Sequence, residues 1–275
     1  MGRLSGQSCA IVGGTGGIGL ASARRFLEEG ARVVIGGQDD GADRAALEQL
    51  EPLGPVAFVA LDVGRADSVA AFFDEAPRWL GGRLDLLVHV AGISGRRRGD
   101  GPLHECSEEG WDAVLDINAR GAFLSNRAAV RRMRAQPLDG HGLRGAVVNV
   151  GSVLAWSPSP ELFGTFAYAA SKGAIHAMTL NAAARYAPER IRFNLLAPGL
   201  IDTPMAARAV EDPAIRHYLA AKQPLAAGPG TADDCAEAIL SLGAPAARFV
   251  TGAVLTVDGG WCVSEGQALP PEATR

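Results

Sequence analysis

Short apolar runs recur along the chain at strand length, and between them apolar residues return every three or four positions. The runs are Ser8–Val12, Ala31–Ile35, Val56–Leu61, Leu84–Val90, Gly145–Val150, Ile191–Leu196 and Ala253–Val257. Each is continuous rather than alternating, the pattern of a strand covered on both faces. The intervening stretches predict helices. One follows Gly19, with Ala23, Phe26 and Leu27 on one side and Gly30 as its stop; others are Asp67–Leu80, Gly110–Met133 interrupted at Gly121, Tyr168–Tyr186 and Thr231–Leu242. Thr231 is placed to N-cap the last, and Asp233 and Asp234 favour its first turn. Strands alternating with helices predict an α/β protein on a doubly wound parallel sheet of about seven strands, with helices on both faces. Gly95–Pro102, Trp156–Thr165 and Thr203–Gly230 read as irregular and hang from strand C-terminal ends, the side on which open α/β sheets bind ligands. No stretch is rich enough in Pro, Gly or Ser to divide the chain, so 1–262 is expected to be one domain and 263–275 a polar tail.

Composition changes this picture little: 275 residues, 48 % apolar and 20 % charged, suit a globular protein with a sizeable core. Charge and cysteine usage exclude more. A net charge of −4 argues against a nucleic-acid partner. Arg96–Arg98 and Arg131–Arg134 are dense in arginine but have no interleaved aromatics, and read as a loop and an exposed helix end. No run approaches the ~20 apolar residues that span a bilayer, so no membrane partner is expected. Cys9, Cys106, Cys235 and Cys262 are scattered without a CxxC pair, so neither a metal site nor a disulfide framework is expected. With no signal peptide read ahead of the first strand, the expectation is a soluble protein in the reducing cytoplasm.

Two stretches carry chemistry. Between the first strand and the first helix lies Gly13-Gly14-Thr15-Gly16-Gly17-Ile18-Gly19, where Gly14, Gly16 and Gly19 satisfy GxGxxG and Gly13, Gly17 and Gly19 satisfy GxxxGxG. Glycines there let backbone N–H groups meet a pyrophosphate at the helix N-terminus, as in Rossmann-type dinucleotide sites. The second stretch, 149–172, holds Asn149, Ser152, Tyr168 and Lys172. On a helix Tyr168 and Lys172 are i and i+4 and share a face. An ammonium beside a phenol stabilises phenolate, so Tyr168 is expected below its usual pKa of ~10. Ser152 is placed to hydrogen-bond the same substrate oxygen that the tyrosine serves. Alone, a YxxxK pair is more often a surface contact than a site.

In order along these elements, the motifs resemble the short-chain dehydrogenase/reductase family from Gln7 to about Trp261. The matching positions are Gly13-x-x-x-Gly17-Ile18-Gly19, Asp62 after the third strand, Ala91-Gly92 after the fourth, Asn118, Ser152, Tyr168, Lys172, Pro198-Gly199 with Thr203, and Val257-Asp258-Gly259-Gly260. Two positions depart from the pattern: Val12 stands where threonine is usual, and His89-Val90 where two asparagines are. His89 reads as a strand-end residue replacing an amide that stabilises the central sheet. The loop between Ser152 and Tyr168 is also longer than is common, which suggests a different pocket wall, involving Trp156 and Phe163.

The resemblance implies hydride transfer between a nicotinamide cofactor and a carbonyl or secondary alcohol. Tyr168 would be the acid or base, its pKa lowered by Lys172 and by the oxidised cofactor's charge. Ser152 would donate to the substrate oxygen, and Asn118 would hold a water linking Lys172 to solvent. Gly13, Thr15, Gly17, Ile18 and Gly19 would form the cofactor turn. Asp62 would accept from the adenine amino group, assisted by the Val63 backbone, and Ala91 and Gly92 would lie along the adenosine ribose. Lys172, beside Tyr168, would hold the nicotinamide ribose, and Pro198, Gly199, Ile201 and Thr203 would reach the carboxamide and pyrophosphate. A non-catalytic NAD(P)-binding regulator, or a cofactor-dependent isomerase or dehydratase, remains an alternative on the same fold.

Cofactor choice is read after the second strand. Gly37 and Gln38 occupy the positions where this family's NAD-type aspartate and NADP-type arginine fall, and neither carries charge. Gly16 likewise offers no cation. Arg44 is nearby on the next helix, while Asp39 and Asp40 would repel a 2′-phosphate by about 1 kcal/mol or more per close pair. Gln38 can hydrogen-bond ribose hydroxyls, and NAD(H) is favoured over NADP(H). Leu154, Trp156, Leu162, Phe163 and Met205 favour a largely apolar small-molecule substrate. The family resemblance, with small residues at Ala182–Ala184, implies a homodimer or homotetramer.

Overall fold

The computed structural model describes residues 2–38 and 41–265. Its strands are β1 (Ser8–Val12), β2 (Arg32–Gly37), β3 (Val56–Ala60), β4 (Leu86–His89), β5 (Gly145–Val150), β6 (Ile191–Pro198) and β7 (Val254–Val257). The described residues form a seven-stranded sheet in the order β3-β2-β1-β4-β5-β6-β7. Every neighbouring pair is parallel, from β2–β3 at one end to β6–β7 at the other. The order reverses between β1 and β4, so the crevice outside their C-terminal ends is the switch point at which ligands bind such sheets.

Alternate strand residues feed two cores. On one face Cys9, Ile11, Val33, Ile35, Leu86, Val88 and Val148 pack with Phe26 and Leu27 of α1 (Gly17–Glu28). Ala46 and Leu50 of α2 (Ala42–Leu50) and Ile239 and Leu240 of α10 (Ala232–Gly243) complete that layer. On the other, Ala10, Val12, Val34, Leu87, Val147 and Phe193 meet Phe72 and Phe73 of α3 (Ala66–Trp79), Leu124 and Met133 of α5 (Gly121–Ala135), and Ala183 of α7 (Phe166–Tyr186). Phe26 and Phe72 are fully buried, each such side chain contributing about 1.5–3 kcal/mol by leaving water. Two-sided burial is why β1, β2, β4, β5 and β6 read as continuous apolar runs. The edge strands depart from that expectation, β3 being partly buried and β7 half exposed, because each has a neighbour on one side alone.

Several element ends behave as the residues dictate. Gly30, at φ 84°, closes α1. Thr231 accepts from the Asp234 N–H and Asp234 accepts from the Thr231 N–H, a reciprocal capping box that starts α10. The long helix expected over Gly110–Met133 is three pieces: α4 (Glu108–Val114), a π-helical turn over Leu115–Arg120, and α5. The expectation that Thr203–Gly230 is irregular is corrected. It folds into α8 (Ala207–Glu211) and α9 (Pro213–Lys222), the latter capped by Asp212, whose carboxylate accepts from the Ala214 and Ile215 N–H groups. Trp156–Thr165 likewise contains one helical turn, α6 (Pro160–Phe163). Among the described residues no helix is long and apolar enough to cross a membrane. Of the expected tail only 263–265 are described; 266–275 lie outside the described residues.

Candidate active site

The glycine turn leaves β1 with the Gly13 and Gly14 N–H groups both donating to Gly36 O, at 2.8 and 3.0 Å. A Cβ on Gly19 would stand 1.9 Å from Gly13 O, so only glycine allows the helix to fold back so closely on the turn. Helix α1 has no side-chain cap at Gly16 and no acid in its first turn. Its first N–H groups and the positive end of its dipole are therefore available to an anion. The space beside Gly16 is open, with no atom within 4 Å of where its Cβ would be. This uncapped, glycine-lined helix start suits a pyrophosphate-bearing cofactor.

From there a cavity of about 380 Å³ extends across the C-terminal ends of β4, β5 and β6. That is within the range of small-molecule sites. Gly13, Gly17, Ile18, Ala91 and Gly92 line it, as do Pro198, Gly199, Ile201 and Thr203, and a Cβ on Gly17 would meet Thr203 at 3.3 Å. Ser152, Tyr168 and Lys172 line the same cavity. Thr15, Gly19, Gln38, Asp62 and Val63 are outside this cavity's lining. Of these, Thr15 packs against Gly37, Val63 against Gly121, and Gln38 is exposed just beyond β2. Asp62 accepts from the Gly64 N–H at 2.9 Å. Asp39 and Asp40 lie outside the described residues.

Lys172 is 4 % exposed, and its Nζ donates to Val150 O at 3.0 Å. Burial pulls its pKa down to about 8. The ammonium lies 5.6 Å from the centroid of the Tyr168 ring. Tyr168 is partly buried and lines the cavity. Burial raises its pKa, and a hydrogen bond with Ser152 pulls it back in part. The expectation that Lys172 lowers the Tyr168 pKa is therefore corrected for this structure: desolvation outweighs the distant cation, and serine is the group that opposes it.

Asn118 sits in the π-helical turn and is fully buried. Its Oδ1 accepts from the Ile93 N–H at 2.8 Å, while Nδ2 donates to Ile93 O and Ser171 Oγ, both at 3.0 Å. It thus ties the loop after β4 to α7. A Cβ on Gly92 would meet Asn118 Oδ1 at 3.0 Å and lie 3.6 Å from Lys172 Nζ, so the asparagine and lysine flank one glycine. Asn149 is buried on the helix side of β5, donating to Thr179 Oγ1, and does not line the cavity.

His89 ends β4, as expected, but its ring makes no sheet hydrogen bond. It is 1 % exposed, and neither ring nitrogen meets a protein partner. Burial, reinforced by the Lys172 charge, drives its pKa down to about 3 and keeps the ring neutral. The expected aromatic wall is also half right. Phe163 lines the cavity and packs edge-on against Trp261, with ring centroids 5.7 Å apart, whereas Trp156 is 39 % exposed and packs at a tilt against His176.

Sequence reasoning missed four residues here. Asp100, 6 % exposed, accepts from the Ala167 and Tyr168 N–H groups at 3.0 and 2.9 Å, fixing the start of α7 and with it the tyrosine. Trp261 forms the floor, its Nε1 donating to Ser157 O at 3.2 Å. Arg96 and Arg208 also line the cavity. All four come from loops or short helices whose contacts follow no sequence spacing.

The family model described as "Enoyl-(Acyl carrier protein) reductase" matches residues 13–262. A cis-4-hydroxycyclohexanecarboxylate dehydrogenase of Sinomonas cyclohexanicum is 39 % identical, over 95 % of this chain and 99 % of that protein. A 2-(S)-hydroxypropyl-CoM dehydrogenase of Xanthobacter autotrophicus is 36 % identical, over 94 % of this chain and 97 % of that one. Among solved structures, a short-chain type dehydrogenase/reductase from Mycobacterium ulcerans superposes with a TM-score of 0.86 at 28 % identity, covering 95 % and 91 % of the two chains. With its glycine turn and its Ser152, Tyr168 and Lys172 on one cavity wall, the chain belongs to the short-chain dehydrogenase/reductase family and is an oxidoreductase.

Proposed function

We propose that this enzyme interconverts a secondary alcohol and its ketone on a compact, largely apolar small molecule, with Tyr168 moving the proton. The observation that carries the reading is the sharing of one cavity by the glycine turn and by Ser152, Tyr168 and Lys172. A nicotinamide cofactor bound along that turn supplies or accepts the hydride. Tyr168 gives its phenolic proton to the oxygen formed in reduction and takes the hydroxyl proton in oxidation. Ser152 donates to the same substrate oxygen and hydrogen-bonds the phenol. Lys172 holds the ribose next to the nicotinamide. Asn118 keeps the loop after β4 in place and holds the water that joins Lys172 to solvent, a role supported by their common position at Gly92. Leu154, Phe163, Met205 and Trp261 exclude water from the reacting centre. Both relatives' names describe a hydroxyl on a secondary carbon, in one case on a six-membered ring.

NAD(H) is the preferred cofactor in this reading. Gln38, exposed after β2, offers hydrogen bonds without charge, and Asp62 with Val63 takes the adenine. Arg44, exposed on α2, is the cation that an NADP(H) preference would implicate. The working form is a homodimer or homotetramer. Exposed Trp111 on α4, Phe123 on α5, and Phe166 and Leu180 on α7 support helix-to-helix contact between copies. A screen of ring and open-chain secondary alcohols, followed by nicotinamide absorbance with NAD and NADP in parallel, tests the reading. Oxidation with NAD at tenfold or greater kcat/KM over NADP is expected. Inertness toward every alcohol and ketone would defeat it, and an NADP preference would overturn the cofactor choice alone.

A further inference from the structure

The cavity is lined by Ser152 and Tyr168, by a set of apolar side chains, and by two arginines. Arg96 enters from the loop after β4, in a helical turn over Arg96–Arg98, and Arg208 enters from α8 beyond β6. They come from segments on opposite sides of β5 in the sheet order and line the same cavity, near enough for the Arg208 charge to act on Arg96.

Neither charge is well neutralised by the protein. Arg96 donates from Nη2 to Leu162 O at 3.1 Å, a bond to a neutral carbonyl. Arg208 has a loose i,i+4 pairing with Asp212 at 3.8 Å, and that carboxylate also accepts the two N–H groups that start α9. Asp100 is near Arg96 but spends both oxygens on the start of α7. Among the described residues the cavity lining carries three cations, Arg96, Lys172 and Arg208, and no Asp or Glu. Burial and the nearby Arg208 charge both hold the Arg96 pKa below its ordinary value. Two guanidinium groups beside an apolar chamber with no acid among its lining residues call for an anion from outside.

We propose that Arg96 and Arg208 form an anion subsite that takes a carboxylate at the far end of the substrate, so that the enzyme acts on hydroxy or oxo carboxylic acids with an apolar body. The inference rests on the oxidoreductase reading of Ser152 and Tyr168 and adds the substrate's charge. The substrate then spans the chamber. Its carbinol carbon lies at Tyr168 and Ser152, its ring or chain lies against Leu154, Phe163 and Trp261, and its carboxylate rests between the arginines. Arg96 sets orientation, because its fork can pair with both carboxylate oxygens.

The test is calorimetric binding to the protein saturated with NAD, using cyclohexanecarboxylate and neutral cyclohexanecarboxamide as probes of equal shape. The carboxylate is expected to bind at least tenfold tighter. Arg96→Gln and Arg208→Gln should each cut that ratio several-fold, and the double variant should bring it near one, with melting temperatures confirming the fold. Added salt should narrow the ratio in the wild type, since Arg208 is largely exposed. Equal binding of the two probes, binding of neither, or a ratio unmoved in the double variant overturns the subsite. So does a double variant that loses affinity for NAD and keeps the ratio, because the arginines would then serve the cofactor's phosphates. Carboxylate-selective binding without turnover of any hydroxy acid would instead defeat the oxidoreductase reading and leave the anion subsite standing.

Discussion

Tyr168 and Lys172 are both pushed toward their neutral forms by the same burial, the tyrosine upward and the lysine down to about 8. Reduction needs the phenol and oxidation needs the phenolate, so the two directions should answer oppositely to pH. kcat/KM for alcohol oxidation is expected to rise from pH 6 to pH 9, while ketone reduction holds near neutrality and falls on the alkaline side. Oxidation that declines over that interval would contradict the assignment of Tyr168 as base. His89 has a separate consequence. Its folded pKa of about 3 lies below the ordinary 6.5, so as pH falls below 6.5 the unfolded chain takes a proton that the folded one refuses. Stability is unaffected above 6.5 and is lost at roughly 1.4 kcal/mol per pH unit on the way down toward 3. Urea unfolding at pH 7.5 and 5.5 should show that loss in the wild type and much less of it in His89→Asn; an equal loss in both would remove His89 as the cause. At this scale the sequence was legible where spacing is local. Tyr168 and Lys172 lie one helical turn apart and could be paired by eye, whereas Asp100, Arg96, Arg208 and Trp261 meet the site only through long-range folding.

Among the elements, α7 matters most because it carries both Tyr168 and Lys172. Its N-terminus has no cap from Thr165; the acceptor for its first free N–H groups is Asp100, from the loop after β4. Asp100→Ala should lower stability by about 1 kcal/mol and reduce kcat more than it weakens cofactor binding, since it displaces the tyrosine and leaves the glycine turn alone. Asp100→Asn, which keeps one acceptor oxygen, should recover part of both. Unchanged kcat in the alanine variant would show that α7 is fixed without it. The central strands were legible because two-sided burial writes a continuous apolar run. The break in the long helix was signalled by Gly121, although its form, a π-helical turn presenting Asn118, is set by packing against the β4 loop. Helices α8 and α9 were missed although Asp212-Pro213 is a helix-start signal. Short, partly exposed helices have too little apolar periodicity to stand out from a loop.

For the whole molecule, the fold followed from the alternation of strand and helix, and the position of the site from the reversal of strand order between β1 and β4. In the proposed oligomer the apolar side chains left exposed on α4, α5 and α7 would meet a second copy. Light scattering at micromolar concentration should therefore give a mass at least twice the 28.4 kDa of one chain, and a monomer throughout would contradict it. The proposed function rests on Tyr168 as the acid and base for hydride transfer in this cavity. The most direct measurement is turnover by Tyr168→Phe, which keeps the ring and removes only the hydroxyl, alongside cofactor affinity in the same variant. Turnover is expected to fall at least ~100-fold with cofactor affinity little changed. Near-normal turnover would remove Tyr168 as the acid and base.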